Sequence, residues 1–84
     1  MNNMELKDTV ALMESDDYKD RFKAEYYQTK IRYEKLHKMI IKHEAGTLSF
    51  EPKCDISLLK EQKAHMGLYL YALEVRAEIE DIEL

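Results

Sequence analysis

A chain of 84 residues with a formal net charge of −4 is long enough for one small domain, and it buries only a modest core. The single cysteine, Cys54, excludes an intramolecular disulfide, and no cysteine–histidine spacing is typical of a zinc site. No apolar run predicts a membrane span and the N-terminus lacks a secretory signal, so we expect a cytoplasmic protein without a membrane partner.

The first predicted element is a short helix from Met4 to Met13, within an N-terminal extension that covers residues 1–16. The tripeptide SDD follows at positions 15–17, and each of its residues is of a type that caps helix N-termini. Acidic side chains also favour the positive end of a helix dipole. A new helix is therefore predicted to begin here.

The first long helix is predicted over residues 17–44. Nothing in this stretch interrupts a helix before Gly46, and glycine commonly ends helices. Residues 45–55 are predicted to form a loop, which contains the chain's single proline, Pro52. The loop is short enough to bring the next element back alongside the first long helix.

The second long helix is predicted over residues 56–81, with Asp55 or Ser57 as its start signal. Scarce glycine and proline are typical of an all-α fold, here an antiparallel two-helix hairpin with a short N-terminal helix. The facing positions recur every three or four residues, as expected for helices packed at a shallow angle. These seams are Phe22, Tyr26, Thr29, Tyr33, Leu36 and Ile40 on the first long helix and Leu59, Gln62, Met66, Tyr69, Leu73 and Arg76 on the second.

The second long helix also carries apolar residues outside its seam. They are Leu68, Leu70, Tyr71, Ala72, Val75 and Ala77. A hairpin buries one face of each helix, so the remaining apolar face needs another partner. The simplest partner is a second copy, and we expect a homo-oligomeric helical bundle.

Charge is distributed unevenly along the chain. Residues 18–43 carry eight Lys or Arg against three acids, whereas both ends of the chain are acidic. In this basic stretch Lys30 flanks the predicted seam and Tyr27 lies on its outer side. A tyrosine ring can stack on a nucleobase and a lysine can bind its phosphate, so this pair is a candidate site for a small nucleotide. The basic stretch is equally suited to pair with the acidic ends of neighbouring subunits.

Catalysis finds little support in the sequence. It contains no P-loop, no G-x-S-x-G motif and no H-E-x-x-H motif. The histidines His37 and His43 are six residues apart, which places them on different faces of a helix. We therefore expect neither an enzyme nor a bound metal or cofactor.

The two helices together resemble a family of small phage proteins. The elements that carry the resemblance are Arg21, the Lys35-Leu36 pair that closes the first helix, and a string on the second helix. That string is Gln62, Met66, Tyr69, Leu73 and Arg76. The similar proteins are hairpin-domain sponges that counter the bacterial defence systems CBASS and, in related members, Thoeris. The resemblance covers about residues 18–80.

This resemblance implies a compact homo-oligomer, hexameric in the best-known members, in the cytoplasm of the infected host. It implies binding of cyclic di- or trinucleotides or related second messengers without cleavage. A tyrosine and a lysine line the pocket in the anti-CBASS members, and they correspond here to Tyr18 and Lys30. Arg21 could take the stacking role instead. With Tyr27 and Arg76 these residues complete the predicted ligand-binding set.

Two other classes of function compete with sequestration. One is a small helical adaptor or inhibitor that binds a host or phage protein through the apolar face of the second helix that the hairpin leaves uncovered. The other is a regulator that binds nucleic acid through the basic stretch. Overall acidity counts against binding of a duplex, which usually requires an extended basic face.

Overall fold

The computed structural model describes residues 4–84, and all regular structure in this part of the chain is helical. A 3₁₀ turn at Leu6–Thr9 runs into the single-turn helix α1 at Val10–Met13. The long helices are α2 at Tyr18–Ala45 and α3 at Ile56–Ile79. The predicted all-α class is therefore confirmed for the described residues. The predicted N-terminal helix is a 3₁₀ turn joined to one α-turn.

Local capping chemistry sets the ends of the long helices. Asp17 caps α2, because its side chain accepts a hydrogen bond from the backbone N–H of Lys19 at 3.0 Å. Asp55 caps α3 in the same way and accepts from the N–H of Ser57 at 2.9 Å. Gly46 follows the last turn of α2 with φ of 77°, a left-handed conformation that favours glycine. All three residues are among the predicted start and stop signals.

Replacing Gly46 with alanine is expected to destabilise the fold. A Cβ at this position would meet no atom within 4 Å, so the cost comes from the positive φ alone. We expect the variant to lose about 1–2 kcal/mol of unfolding free energy, the usual cost of a left-handed conformation in a residue with a Cβ. Urea denaturation followed by circular dichroism measures this difference. A variant as stable as the wild type would show that the chain ends α2 differently in solution.

The two long helices run antiparallel. The hydroxyl of Tyr18 contacts Glu80, that of Tyr26 contacts Glu74, and Glu44 pairs with Lys60. The hydrophobic core lies between the helices and continues into the segment after α3. It contains Phe22, Tyr26, Leu70, Leu73, Ala77 and Ile82, with Tyr27 and Tyr33 packed against it. The molecule measures 43 × 24 × 20 Å, and α2 alone, at about 1.5 Å per residue, spans its length.

The predicted seam of α3 is wrong at two positions. Gln62 and Tyr69 are exposed, and Tyr69 keeps 43% of its surface accessible. Arg76 is also exposed but contacts α2 at Tyr18 and Phe22. The buried positions instead centre on Leu70, Leu73 and Ala77. A strict 3.5-residue repeat drifts around a straight helix, and α3 has a second apolar face beside the predicted one. The apolar repeat therefore predicted only approximately which residues of α3 face α2.

The N-terminal segment packs against the first half of α2. Thr9 is fully buried, and its hydroxyl donates to the carbonyl of Leu6 at 2.7 Å. The same hydroxyl oxygen accepts a hydrogen bond from Nε2 of Gln28 at 3.1 Å. One outward side of α2 is thus covered near its beginning, whereas the second half of the helix receives no such cover from this segment.

Candidate functional site

Tyr18 and Arg76, two of the predicted site residues, meet where α2 begins and α3 ends. A guanidinium nitrogen of Arg76 donates to the hydroxyl of Tyr18 at 2.6 Å, and that hydroxyl donates to Glu80 at 2.8 Å. Nε of Arg76 donates to the second carboxylate oxygen of Glu80 at 3.1 Å. The guanidinium also lies 4.9 Å from the centre of the Phe22 ring. This cluster connects the two helices, and a ligand would have to compete with Glu80 for Arg76.

The same contacts change the acidity of Glu80. The hydrogen bond from Tyr18, followed by that from Arg76, lowers the pKa of Glu80 below its ordinary value near 4.5. The hydrogen bond to Glu80 raises the pKa of Tyr18 above 10.0, and the guanidinium of Arg76 also has a raised pKa. At neutral pH the cluster therefore contains a protonated phenol, a carboxylate and a guanidinium.

Glu80→Gln tests this cluster through the pH dependence of stability. The folded-state pKa of Glu80 is depressed, so its contribution is present above about pH 4.5 and is lost as pH falls through the folded value. We expect the thermal midpoint of the wild type to fall more steeply between pH 7 and pH 3 than that of Glu80→Gln. The control, Glu78→Gln on the same helix, should keep the wild-type dependence. Equal slopes for Glu80→Gln and the wild type would contradict the cluster.

Tyr27 and Lys30 lie further along α2, together with Tyr26. The ammonium of Lys30 lies 5.7 Å from the ring centre of Tyr26, and the rings of Tyr26 and Tyr27 meet edge to face at 5.1 Å. The hydroxyl of Tyr26 donates to Glu74 at 2.7 Å. Burial, reinforced by this hydrogen bond, raises the pKa of Tyr26 far above its ordinary value.

Two hollows of about 200 Å³ each adjoin Lys30. Glu34 lines both of them, Glu74 lines one, and Tyr27 and Leu84 line the other. Typical small-molecule sites have about 300–1,000 Å³, so each hollow is small for a nucleotide. The carboxylates beside Lys30 also oppose the binding of an anion.

The structure thus divides the predicted set into two groups. Tyr18 and Arg76 touch each other, and Tyr27 and Lys30 share a hollow. Twelve residues of helix separate Tyr18 from Lys30, or about 18 Å along the axis. Arg21 belongs to neither group, because its guanidinium donates to the carbonyl of Ser15 at 2.9 Å and holds the segment before α2.

A third surface combines lysines with an aromatic ring, and the sequence reasoning did not single it out. Lys35, Lys38 and Lys42 recur at i, i+3 and i+7 and therefore share one face of α2. The loop after α2 brings Phe50, which is 56% exposed, to the same concavity. The concavity has a volume of about 340 Å³, and its remaining lining residues are Met39, Leu48 and Ser49. We call it the Lys–Phe site.

Charge distinguishes the Lys–Phe site from the hollows at Lys30. No carboxylate lines it. Within residues 4–84 the ion pairs are Lys60 with Glu44 and Arg76 with Glu80, so the three lysines stand outside these pairs, and Glu34, one turn before Lys38, does not line the site. The carbonyls at the end of α2 oppose an anion there by about 0.3–1 kcal/mol. A charge-assisted hydrogen bond contributes about 1.5–3 kcal/mol, so three ammonium groups outweigh that dipole.

A wide concavity lies between the second half of α2 and the first half of α3. It is an open groove of about 890 Å³, and its walls are mainly apolar. Ile40, Ile41, Ala64 and Leu68 contribute to these walls, while Lys63 lies at its edge above the Tyr33 ring at 5.9 Å. A groove of this character suits an apolar surface better than a phosphate.

The part of the chain that the structure describes contains no group of three His, Cys, Asp or Glu side chains arranged to hold a metal ion. Over the same residues, neither α2 nor α3 has the length and apolar character that a membrane-crossing helix requires.

The family model named Sequestin matches residues 16–79, a span that contains α2, the loop and α3. It therefore includes the Lys–Phe site and all five predicted ligand-binding residues. The family name denotes the sequestering of a molecule, which is a binding role rather than a catalytic one. No curated protein and no solved structure matches the chain.

Proposed function

We propose that the chain, which belongs to the Sequestin family, sequesters a nucleotide second messenger of bacterial antiphage defence. The messenger is a cyclic oligonucleotide or a related nucleotide, and the protein binds it in the cytoplasm of the infected host without cleaving it. The family name supports retention of a molecule, and the resemblance to phage sponge proteins supports the choice of ligand.

The observation that carries this proposal is the Lys–Phe site. The ammonium groups of the three lysines offer donors for phosphate oxygens, and the exposed ring of Phe50 offers a face for a nucleobase. Base stacking on an aromatic side chain contributes about 1–3 kcal/mol, which is comparable with each phosphate contact. The site is open on one side, so a bulky cyclic dinucleotide leaves part of its surface for a second chain to cover.

Sequestration requires no chemical step. A tightly bound messenger is removed from the signalling pool by mass action, and its release regenerates it unchanged. The protein must then be present at a concentration comparable with that of the messenger. Its dissociation constant for the messenger must lie well below that concentration. We propose this stoichiometric mechanism rather than degradation.

A binding experiment tests the proposal directly. Purified protein is titrated calorimetrically with a panel of cyclic di- and trinucleotides and cyclic ADP-ribose-type nucleotides, with AMP as a control. The bound nucleotide is then released by heating and identified by chromatography. We expect one class to bind and to be recovered intact. Absence of binding across the panel, or cleaved nucleotide that accumulates with time, would overturn the proposal.

The sequence-predicted site residues Tyr18, Arg21, Tyr27, Lys30 and Arg76 remain a prediction, and Lys30→Ala tests them. The ammonium of Lys30 already faces Tyr26 and shares its hollows with carboxylates. We therefore expect this variant to bind the messenger within about threefold of the wild type, a change below about 0.7 kcal/mol. If the variant loses tenfold or more in affinity in the same titration, the ligand binds at Lys30.

A second candidate function is the adaptor or inhibitor that binds a host or phage protein. The exposed apolar residues on the outer face of α3 favour it, since a lone chain leaves them without cover. A monomeric wild-type protein with no affinity for nucleotides would make this candidate the stronger one.

A further inference from the structure

The outer face of α3 carries a continuous apolar stripe. Leu68, Tyr71 and Ile79 expose 68%, 67% and 78% of their surfaces, and Val75 lies between the last two. Their spacing of three or four residues keeps them on one side of the helix, roughly opposite the buried Leu70, Leu73 and Ala77. The exposed Ala64 extends the stripe by one turn before Leu68. The exposed Ala72 lies beside Tyr71 on the same side of the helix.

This stripe adjoins the apolar groove rather than ending in polar surface. Leu68 and Ala64 belong to the stripe and also form one wall of the groove. The opposite wall is built from α2 and includes the exposed Ile41. The stripe and the groove together form one apolar surface along most of the molecule. An ordinary protein surface carries single, scattered apolar residues instead.

Charge along α3 is divided between its two halves. Residues 56–67 carry Lys60 and Lys63 against one acid, whereas residues 68–79 carry two acids against Arg76. Three further acids follow within residues 80–84. In a parallel pair of α3 helices like halves would meet, and the acidic ends would repel each other. In an antiparallel pair each acidic half lies instead beside the first half of the partner helix, which carries Lys63 and a Lys60 already paired with Glu44, so the repulsion between acidic ends is relieved.

We propose that the stripe is a self-association surface on which α3 of a second copy packs antiparallel. The stripe runs from Ala64 to Ile79, so its midpoint lies between Tyr71 and Ala72. A two-fold axis at that midpoint buries the whole stripe of both copies. It sets Ala64 opposite Ile79, Leu68 opposite Val75 and Tyr71 opposite Ala72, so that small side chains face large ones.

The pairing is independent of the nucleotide, because the Lys–Phe site lies on α2 and the loop. An even-numbered assembly, including a hexamer, can contain this pair as its repeating unit. The contact between copies thus has a defined surface, a defined direction of the partner helix and a defined register.

Light scattering coupled to size exclusion tests the surface. We expect the wild type to have a mass that is an even multiple of 10.0 kDa and Ile79→Glu to be reduced to a smaller species with unchanged helical circular dichroism. Leu58→Glu is the matched control, because Leu58 is 54% exposed on the same helix but lies outside the stripe. A monomeric wild type, or an Ile79→Glu variant with the wild-type mass, would overturn the proposal.

Cysteine crosslinking tests the direction, in a background in which Cys54→Ser removes the exposed native thiol. We expect Ala64→Cys mixed with Ile79→Cys to form mixed disulfide dimers under mild oxidation. In the antiparallel pair the two copies of position 64 are about 22 Å apart along the axis, beyond the roughly 7 Å that a disulfide tolerates. Efficient crosslinking of Ala64→Cys alone, without the mixed product, would overturn the antiparallel arrangement.

Discussion

Replacing both Lys38 and Lys42 with alanine is expected to weaken binding of the nucleotide messenger roughly a hundredfold. Each ammonium is expected to contribute about 1.5 kcal/mol, the lower end for a charge-assisted hydrogen bond, because both lysines are exposed and solvent screens them. The two losses add to about 3 kcal/mol, which corresponds to a factor on the order of 100 in the dissociation constant. Calorimetric titration with the messenger identified for the wild type measures this loss.

A variant with the same change in net charge is the control. Lys19→Ala combined with Lys23→Ala also removes two positive charges, and both residues lie on α2 at least twelve positions before Lys35, which is about 18 Å or more along the helix axis. We expect this control to bind within about threefold of the wild type, because exposed charges beyond a Debye length of about 10 Å are largely screened. Equal losses in the two double variants would mean that the lysines act as a diffuse field and that the Lys–Phe site does not hold the ligand.

Ionic strength separates the contributions of Phe50 and the lysines. Phosphate contacts to exposed ammonium groups weaken as salt is added, whereas stacking on an aromatic ring depends little on salt. The double lysine variant should therefore show a smaller salt dependence than the wild type. Retention of the full salt dependence would place the phosphate contacts elsewhere on the protein.

The ends of the helices could be predicted because their causes are local. Asp17, Gly46 and Asp55 act through hydrogen bonds or backbone conformations that involve residues close in sequence. The pairing of α2 with α3 follows from the short loop between them. These features depend on the chemistry of a few neighbouring residues, which a sequence displays directly.

The rotation of α3 could not be predicted, because the helix has two apolar faces and either of them can face α2. The choice is made by contacts such as Leu73 with the core and Tyr26 with Glu74, which join residues far apart in sequence. Gln62 and Tyr69 fit the predicted repeat, and both are exposed. Periodicity indicates that a face is apolar but does not specify which partner covers it.

The two candidate sites depend on contacts that the sequence does not display. The spacing of Lys35, Lys38 and Lys42 is visible in the sequence, but the approach of Phe50 depends on the path of the loop. Lys30 stays a predicted site residue, and Glu74 reaches its hollow from α3.

Leu73→Ala is expected to destabilise the fold more than any other single truncation discussed for this chain. Leu73 exposes only 2% of its surface and lies in the core between the two long helices. Truncating a buried leucine removes apolar burial and leaves a cavity, at a cost of about 2–5 kcal/mol. A domain of this length has a total stability of roughly 4–13 kcal/mol, so the variant loses a large fraction of it.

Leu58→Ala provides a matched control, since it is the same substitution on the same helix at a residue that is 54% exposed. We expect it to change stability by less than about 0.5 kcal/mol, as most surface substitutions do. Thermal unfolding at one protein concentration should then show Leu73→Ala at least about 8 °C below Leu58→Ala. If the two variants unfold at the same temperature, Leu73 does not lie in the contact between the helices, and α3 is rotated differently from the arrangement described.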